Sequence, residues 1–132
     1  IFLDSRVDSD LSDRHSIIYG HHMKDGTMFS GLTKYKKQEY YEAHSEGLLI
    51  TPERTYTIEF FAGYVASVED PAWKIGFESE EDFDTWIKEA QKKSWFTSSL
   101  SPAVTDRILT LSTCSYEFDN ARFVLLAIIV EM

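Results

Sequence analysis

Two apolar runs constrain this chain more than any other stretch. The first is Ile108-Leu109-Thr110-Leu111-Ser112-Thr113-Cys114, and the second opens at Arg122 and continues from Phe123 to Val130. Both are rich in β-branched and aliphatic residues, which suit a pleated, half-buried surface. Residues 115–121 between them are enough for a hairpin loop, so the two runs are expected to pair antiparallel. One run ends in the only cysteine of the chain and the other begins with an arginine. Residues facing each other in such a pair lie roughly 4.5–5.5 Å apart at Cα. The pairing therefore predicts a thiol and a guanidinium sharing one pocket.

A chain of 132 residues suggests one domain, residues 1–132, able to bury about two-thirds of the surface its unfolded chain exposes. Its 43% apolar and 14% aromatic content supplies a core and argues against disorder. The net charge of −9, with no basic stripe, argues against nucleic acid or an anionic membrane surface as partner. A single cysteine excludes an internal disulfide and a cysteine-based zinc site, and leaves the redox compartment open. No apolar run reaches the roughly 20 residues of a membrane-spanning helix, and no signal peptide is visible. The chain opens on Ile1-Phe2-Leu3-Asp4, which reads as part of a strand. The expectation is a fragment whose beginning has been lost.

Along the chain, Asp8 to Arg14 reads as a polar connector, and Ser16-Ile17-Ile18-Tyr19 as a short buried strand stopped by Gly20. Lys24-Asp25-Gly26 is a turn signal. Met28, Phe29, Leu32 and Tyr35 recur at helical spacing, and Gln38 to His44 adds a second helical piece with Tyr40 and Tyr41 inward. Gly47–Thr51 and Tyr56–Val65 read as strands around a Pro52-Glu53-Arg54 turn. Tyr56, Ile58, Phe60, Ala62 and Tyr64 are expected on one face, with Glu59 opposite. Ser67 to Gly76 reads as irregular. Ser79 then caps a long helix to about Ser94, with Asp82 three residues on and Phe83, Trp86, Ile87 and Ala90 on its buried face. Lys92 and Lys93 suit the negative end of its dipole. The sum is about six strands and three helical pieces, a mainly β domain with inserted helices.

Three residues stand out for chemistry. Cys114 is either a small core residue or a nucleophile. Alternation places it with Ser112 and Thr110 on a polar face, where a thiol is expected to reach solvent. His21 follows Gly20, whose freedom lets the backbone bend sharply at the end of a rigid strand. A cysteine nucleophile needs a proton partner, first to favour the thiolate and then to protonate a leaving amine. His15 and His44 sit in polar sequence without a strand end beneath them, and His22 reads as a surface imidazole. Arg122 is either a snorkelling edge residue or a permanent cation aimed at a developing oxyanion. The backbone N–H of Ser115 is a candidate to complete that oxyanion hole.

Thr-Leu-Ser-Thr-Cys with Arg eight residues later, at the head of an apolar strand, resembles the signature of sortases, the cysteine transpeptidases of Gram-positive cell walls. Ile-Ile-Tyr-Gly-His-His-Met-Lys-Asp-Gly-Thr-Met-Phe resembles that family's histidine segment in its class B form, and Phe-Leu-Asp its preceding strand. The resemblance covers essentially the whole chain. It implies the eight-stranded sortase β-barrel, of which six strands are present here and the first two strands and N-terminal helices are not. The long helix before the cysteine strand matches class B and not class A.

By position, the resemblance makes His21, Cys114 and Arg122 the catalytic three. The implied reaction is cleavage of a sorting motif after threonine through a thioacyl intermediate on Cys114. The acyl group then passes to a peptidoglycan amine on a lipid-linked precursor. Ser112, Ser115 and Trp73 are the expected substrate contacts, Trp73 because it falls in the segment that walls the groove in relatives. Trp73 packing under the helix and Ser112 satisfying a backbone group are the plain alternatives. No metal or cofactor is implied. The partners implied are surface proteins bearing the motif and the precursor amine, at the extracellular face of the cell membrane, with membrane contact only through an anchor absent from this chain. The competing readings are a pilin-polymerising class B enzyme, a hydrolase and a non-catalytic peptide-binding barrel.

Overall fold

Phe123 to Ile129 are all buried, because the strand that carries them is covered on both faces. This is β6 (Ala121–Glu131) of the computed structural model, which describes residues 2–3, 6, 13–20, 34–52, 54–67, 69–113 and 121–131. The other strands are β1 (Phe2–Leu3), β2 (His15–Gly20), β3 (Glu46–Ile50), β4 (Thr55–Ser67) and β5 (Arg107–Thr113). They form one sheet in the order β1-β2-β5-β6-β4-β3. The expected β5–β6 pairing is present, in the register Ser112↔Val124 and Thr110↔Leu126. Every neighbouring pair is antiparallel except β2 and β5, which run parallel. The mainly β expectation holds, with the strands forming a curled half-barrel.

Among the described residues two α-helices lie against the sheet. On one face is α2 (Glu80–Lys93), started by Ser79, whose hydroxyl accepts from the Asp82 N–H. Its Phe83, Trp86, Ile87 and Ala90 pack on Tyr64, Val124 and Leu126, as the helical spacing predicts. On the other face α1 (Gln38–Ala43) sets Tyr41 beside Phe60, Phe96, Phe123 and Leu125. Tyr40 is only partly buried. Full burial of one such aromatic side chain contributes about 1.5–3 kcal/mol. Met28, Phe29 and Leu32, expected on a helix, lie outside the described residues.

Two expectations change. Tyr56 to Tyr64 do not share one face, because β4 is bulged between Phe60 and Ala62. Tyr56, Ile58 and Phe60 face the α1 side, whereas Phe61, Ala62 and Tyr64 face the α2 side. The stretch read as irregular contains a 3-10 turn, Pro71–Trp73, with Asp70 accepting from the Ala72 N–H at 2.9 Å. Proline fits there because the first N–H groups of a helical turn have no partner inside it.

Candidate active site

The site is built from three strand ends. Gly20 closes β2 and pairs with Thr113, which closes β5. Parallel strands end at the same edge of a sheet, and β6, antiparallel to β5, begins there. Neighbouring strands lie about 4.8 Å apart. The chain therefore leaves β2 toward position 21 and β5 toward position 114 from adjacent places. Arg122, half-buried, is the second residue of the next strand, opposite Ala66 of β4. His21, Cys114 and Ser115 themselves lie outside the described residues.

Alternation puts Arg122 on the face of Val124 and Leu126, the side covered by α2. Thr110 and Ser112 of β5 face the same side. This polar face was expected to reach solvent, and at these two positions it does not: both residues are fully buried. Their hydroxyls have partners instead. Ser112 Oγ accepts from Trp73 Nε1 at 3.0 Å and donates to the Thr113 carbonyl at 3.3 Å. Thr110 Oγ1 meets His15 Nε2 at 2.7 Å. Thr113 turns to β6, where its Oγ1 accepts from the Phe123 N–H at 3.1 Å.

Trp73 is half-buried at the end of the 3-10 turn and packs against the α2-side core. Of the two readings the sequence left open, packing under the helix is present, and the indole N–H also reaches Ser112. Ser112 likewise satisfies a backbone group while receiving the indole N–H. The turn is held from several sides. Pro71 O accepts from Trp86 Nε1 at 2.7 Å, Trp73 O accepts from Arg6 Nη2 at 3.1 Å, and Asp70 carries an ion pair to Lys93 at 2.8 Å. The Tyr64 hydroxyl donates to Asp70 at 3.2 Å, and burial together with that carboxylate raises its pKa above the ordinary phenol value. Lys74 pairs with Asp82 at 2.8 Å, and this hydrogen bond holds the Asp82 carboxyl below the usual carboxylate range.

His15 corrects a further expectation. It was read as lying in polar surroundings, yet it is fully buried at the start of β2, with its ring 4.5 Å from Trp86. Its Nδ1 meets the Lys74 carbonyl. No local signal marked it, since its partners lie 59 and 95 residues away. Among the described residues no group of three or more His, Cys, Asp or Glu side chains is placed to hold a metal ion. A groove of about 490 Å³ lined by Tyr41, Glu42, Ser45 and Ser98 lies elsewhere, where Tyr41 bonds the Phe60 carbonyl in the middle of β4.

No protein-family model matches the chain. Sortase B of Staphylococcus aureus is 34% identical over 134 residues, which is all of this chain and 55% of that protein. The crystal structure of Staphylococcus aureus sortase B superposes with a TM-score of 0.93 at 33% identity, covering 100% of this chain and 64% of the other. A Staphylococcus aureus sortase B–substrate complex gives a TM-score of 0.92 at 32% identity, covering 99% of this chain and 62% of the other. The chain spans about half the length of the curated relatives it matches. Sequence similarity and superposition both run along the whole of this chain: it is a homologue of sortase B and carries the sortase B fold.

Proposed function

We propose that this chain carries the catalytic residues of a cysteine transpeptidase, with Cys114 as nucleophile, His21 as proton carrier and Arg122 as the cation of the oxyanion site. The observation that supports this best is the pairing of strand ends, Gly20↔Thr113 and Ser112↔Val124. It brings the attachment points of all three residues to one edge of the sheet, although they come from distant parts of the sequence.

The chemistry follows from the residue types. The Cys114 thiolate adds to the carbonyl after threonine in a sorting peptide, and negative charge develops on the carbonyl oxygen. Arg122 and the Ser115 N–H stabilise that charge. The C–N bond then breaks, and His21 protonates the departing amine, leaving a thioacyl enzyme. A second amine, supplied by a peptidoglycan precursor, attacks the thioester, gives up a proton to His21 and releases the thiolate. Trp73 lines the peptide groove, with Ser112 buried behind it as its hydrogen-bond partner. The activity belongs at the extracellular face of a cell membrane, on proteins that bear the motif. No helix among the described residues is long and apolar enough to cross a membrane. Support for a peptide substrate comes from the homologous sortase B–substrate complex.

The test is an acyl-transfer assay on a panel of sorting-motif peptides, with and without an added amine, using the full-length protein. Wild type is expected to cleave one of them, and the added amine to appear in the product. Cys114→Ala, His21→Ala and Arg122→Ala are each expected to reduce turnover by at least about 10²-fold. Cleavage that persists in Cys114→Ala ends the proposal.

A further inference from the structure

Two consecutive residues of the β4–α2 connection are fastened to alternate residues on one face of β5. Trp73 donates its indole N–H to Ser112, and the carbonyl of Lys74 meets the ring of His15, whose other nitrogen meets Thr110. Thr110 and Ser112 lead along that face toward position 114. The hydrogen-bond roles can be assigned. A carbonyl oxygen only accepts, so His15 Nδ1 carries a proton toward Lys74. In the neutral ring Nε2 is then an acceptor, and the Thr110 hydroxyl donates to it. One buried imidazole thus ties the first residue of β2, the nucleophile strand and the connection into a single unit, and its ring rests on Trp86 of α2.

We infer that His15 is a positioning residue for the peptide groove: through Lys74 it holds Trp73 against Ser112, so that the groove wall is set before substrate arrives. The inference rests on the transpeptidase reading above. His15 touches no reacting atom. Without it the Lys74 carbonyl loses a buried donor, and the turn that carries Trp73 is left on the Ser112 bond and its contacts to Arg6 and α2. The wall then has to be ordered by the peptide itself, and binding weakens while the chemical step is spared.

Three variants of the full-length protein test this. His15→Phe keeps ring volume and stacking but removes both hydrogen bonds, Thr110→Val removes one without changing shape, and His15→Asn keeps an N–H near the place of Nδ1. The first readout is the indole N–H resonance of Trp73 and its rate of hydrogen exchange. The second is the division between KM and kcat for a cleaved sorting peptide. In His15→Phe the indole resonance is expected to shift and exchange faster, and KM to rise about tenfold with kcat within about twofold. His15→Asn is expected to recover most of the KM change, with Thr110→Val in between. An unaltered Trp73 resonance, or an unaltered KM beside a lowered melting temperature, overturns the inference. Should His15→Phe fail to fold, Thr110→Val and His15→Asn carry the same two readouts. Absence of thiol-dependent cleavage by wild type removes the transpeptidase reading, and the indole measurement still decides whether His15 holds the wall.

Discussion

Arg122 and Tyr35 show how much a single side chain can be asked to do. In Arg122→Lys the charge stays but the planar fork of donors is lost. Peptide cleavage is expected to fall by about 10²-fold or more, while alkylation of Cys114 by iodoacetamide stays within about twofold of wild type. An equal loss in both measurements would mean that arginine acts on the thiol and not on the oxyanion. Tyr35 is buried, donates to the His44 carbonyl at 2.7 Å, and has its pKa pushed up to about 12 by burial and by Tyr40. The unfolded phenol ionises near its ordinary value of 10.0, so between the two values the unfolded chain binds fewer protons and stability falls as pH rises. The stabilisation is complete below pH 10 and is lost on passing through 12. Denaturant titrations of wild type and Tyr35→Phe between pH 9 and 11 are expected to show a shallower alkaline decline in the variant. At neutral pH its cost is about 0.5–1.5 kcal/mol.

Among the elements, β4 and the segment after α2 meet more closely than side chains usually allow. The Gly63 N–H donates to Ser94 Oγ at 3.0 Å, and the Gly63 carbonyl accepts from the Trp95 N–H at 2.8 Å. A Cβ at that position would stand 2.9 Å from the Phe96 ring and 3.1 Å from Leu125. Gly63→Ala is therefore expected to cost about 1–3 kcal/mol by overpacking, read from the denaturation midpoint. The elements also show what the sequence makes legible. The Ser79 cap and the spacing of Phe83, Trp86, Ile87 and Ala90 give α2 and its buried face, because cap and period are local. The β5–β6 hairpin is legible for the same reason. The bulge in β4 is not, because Phe60-Phe61-Ala62 offers an apolar residue to either core and period two cannot say where it slips. Nor is the burial of His15 and Thr110, whose partners are distant in the chain. The resemblance that singled out His21, Cys114 and Arg122 rests on short motifs; of the three, Arg122 lies among the described residues, second in β6, and the other two lie outside them.

For the molecule as a whole, the sheet closes on neither side among the described residues, and β3 lies at one end of it. Leu48 and Ile50 of that strand are 63% and 72% exposed. An exposed apolar end strand invites pairing with other chains. Leu48→Lys and Ile50→Lys are expected to change stability by no more than about 0.5 kcal/mol. Both should raise the concentration at which these 132 residues stay monodisperse in light scattering. No gain in solubility would show that β3 is already sheltered in solution. Joining residue 20 to residue 113 also has a cost in time. Closing so wide a loop is slow relative to zipping up a hairpin, and the cost comes before any contact rewards it. Refolding should therefore produce β5–β6 early and dock β2 late, and recovered turnover should follow the slowest kinetic phase. A half-folded chain would hold the ends of β5 and β6 without that of β2 beside them, so the edge at which the three strands meet comes into being only with the finished domain.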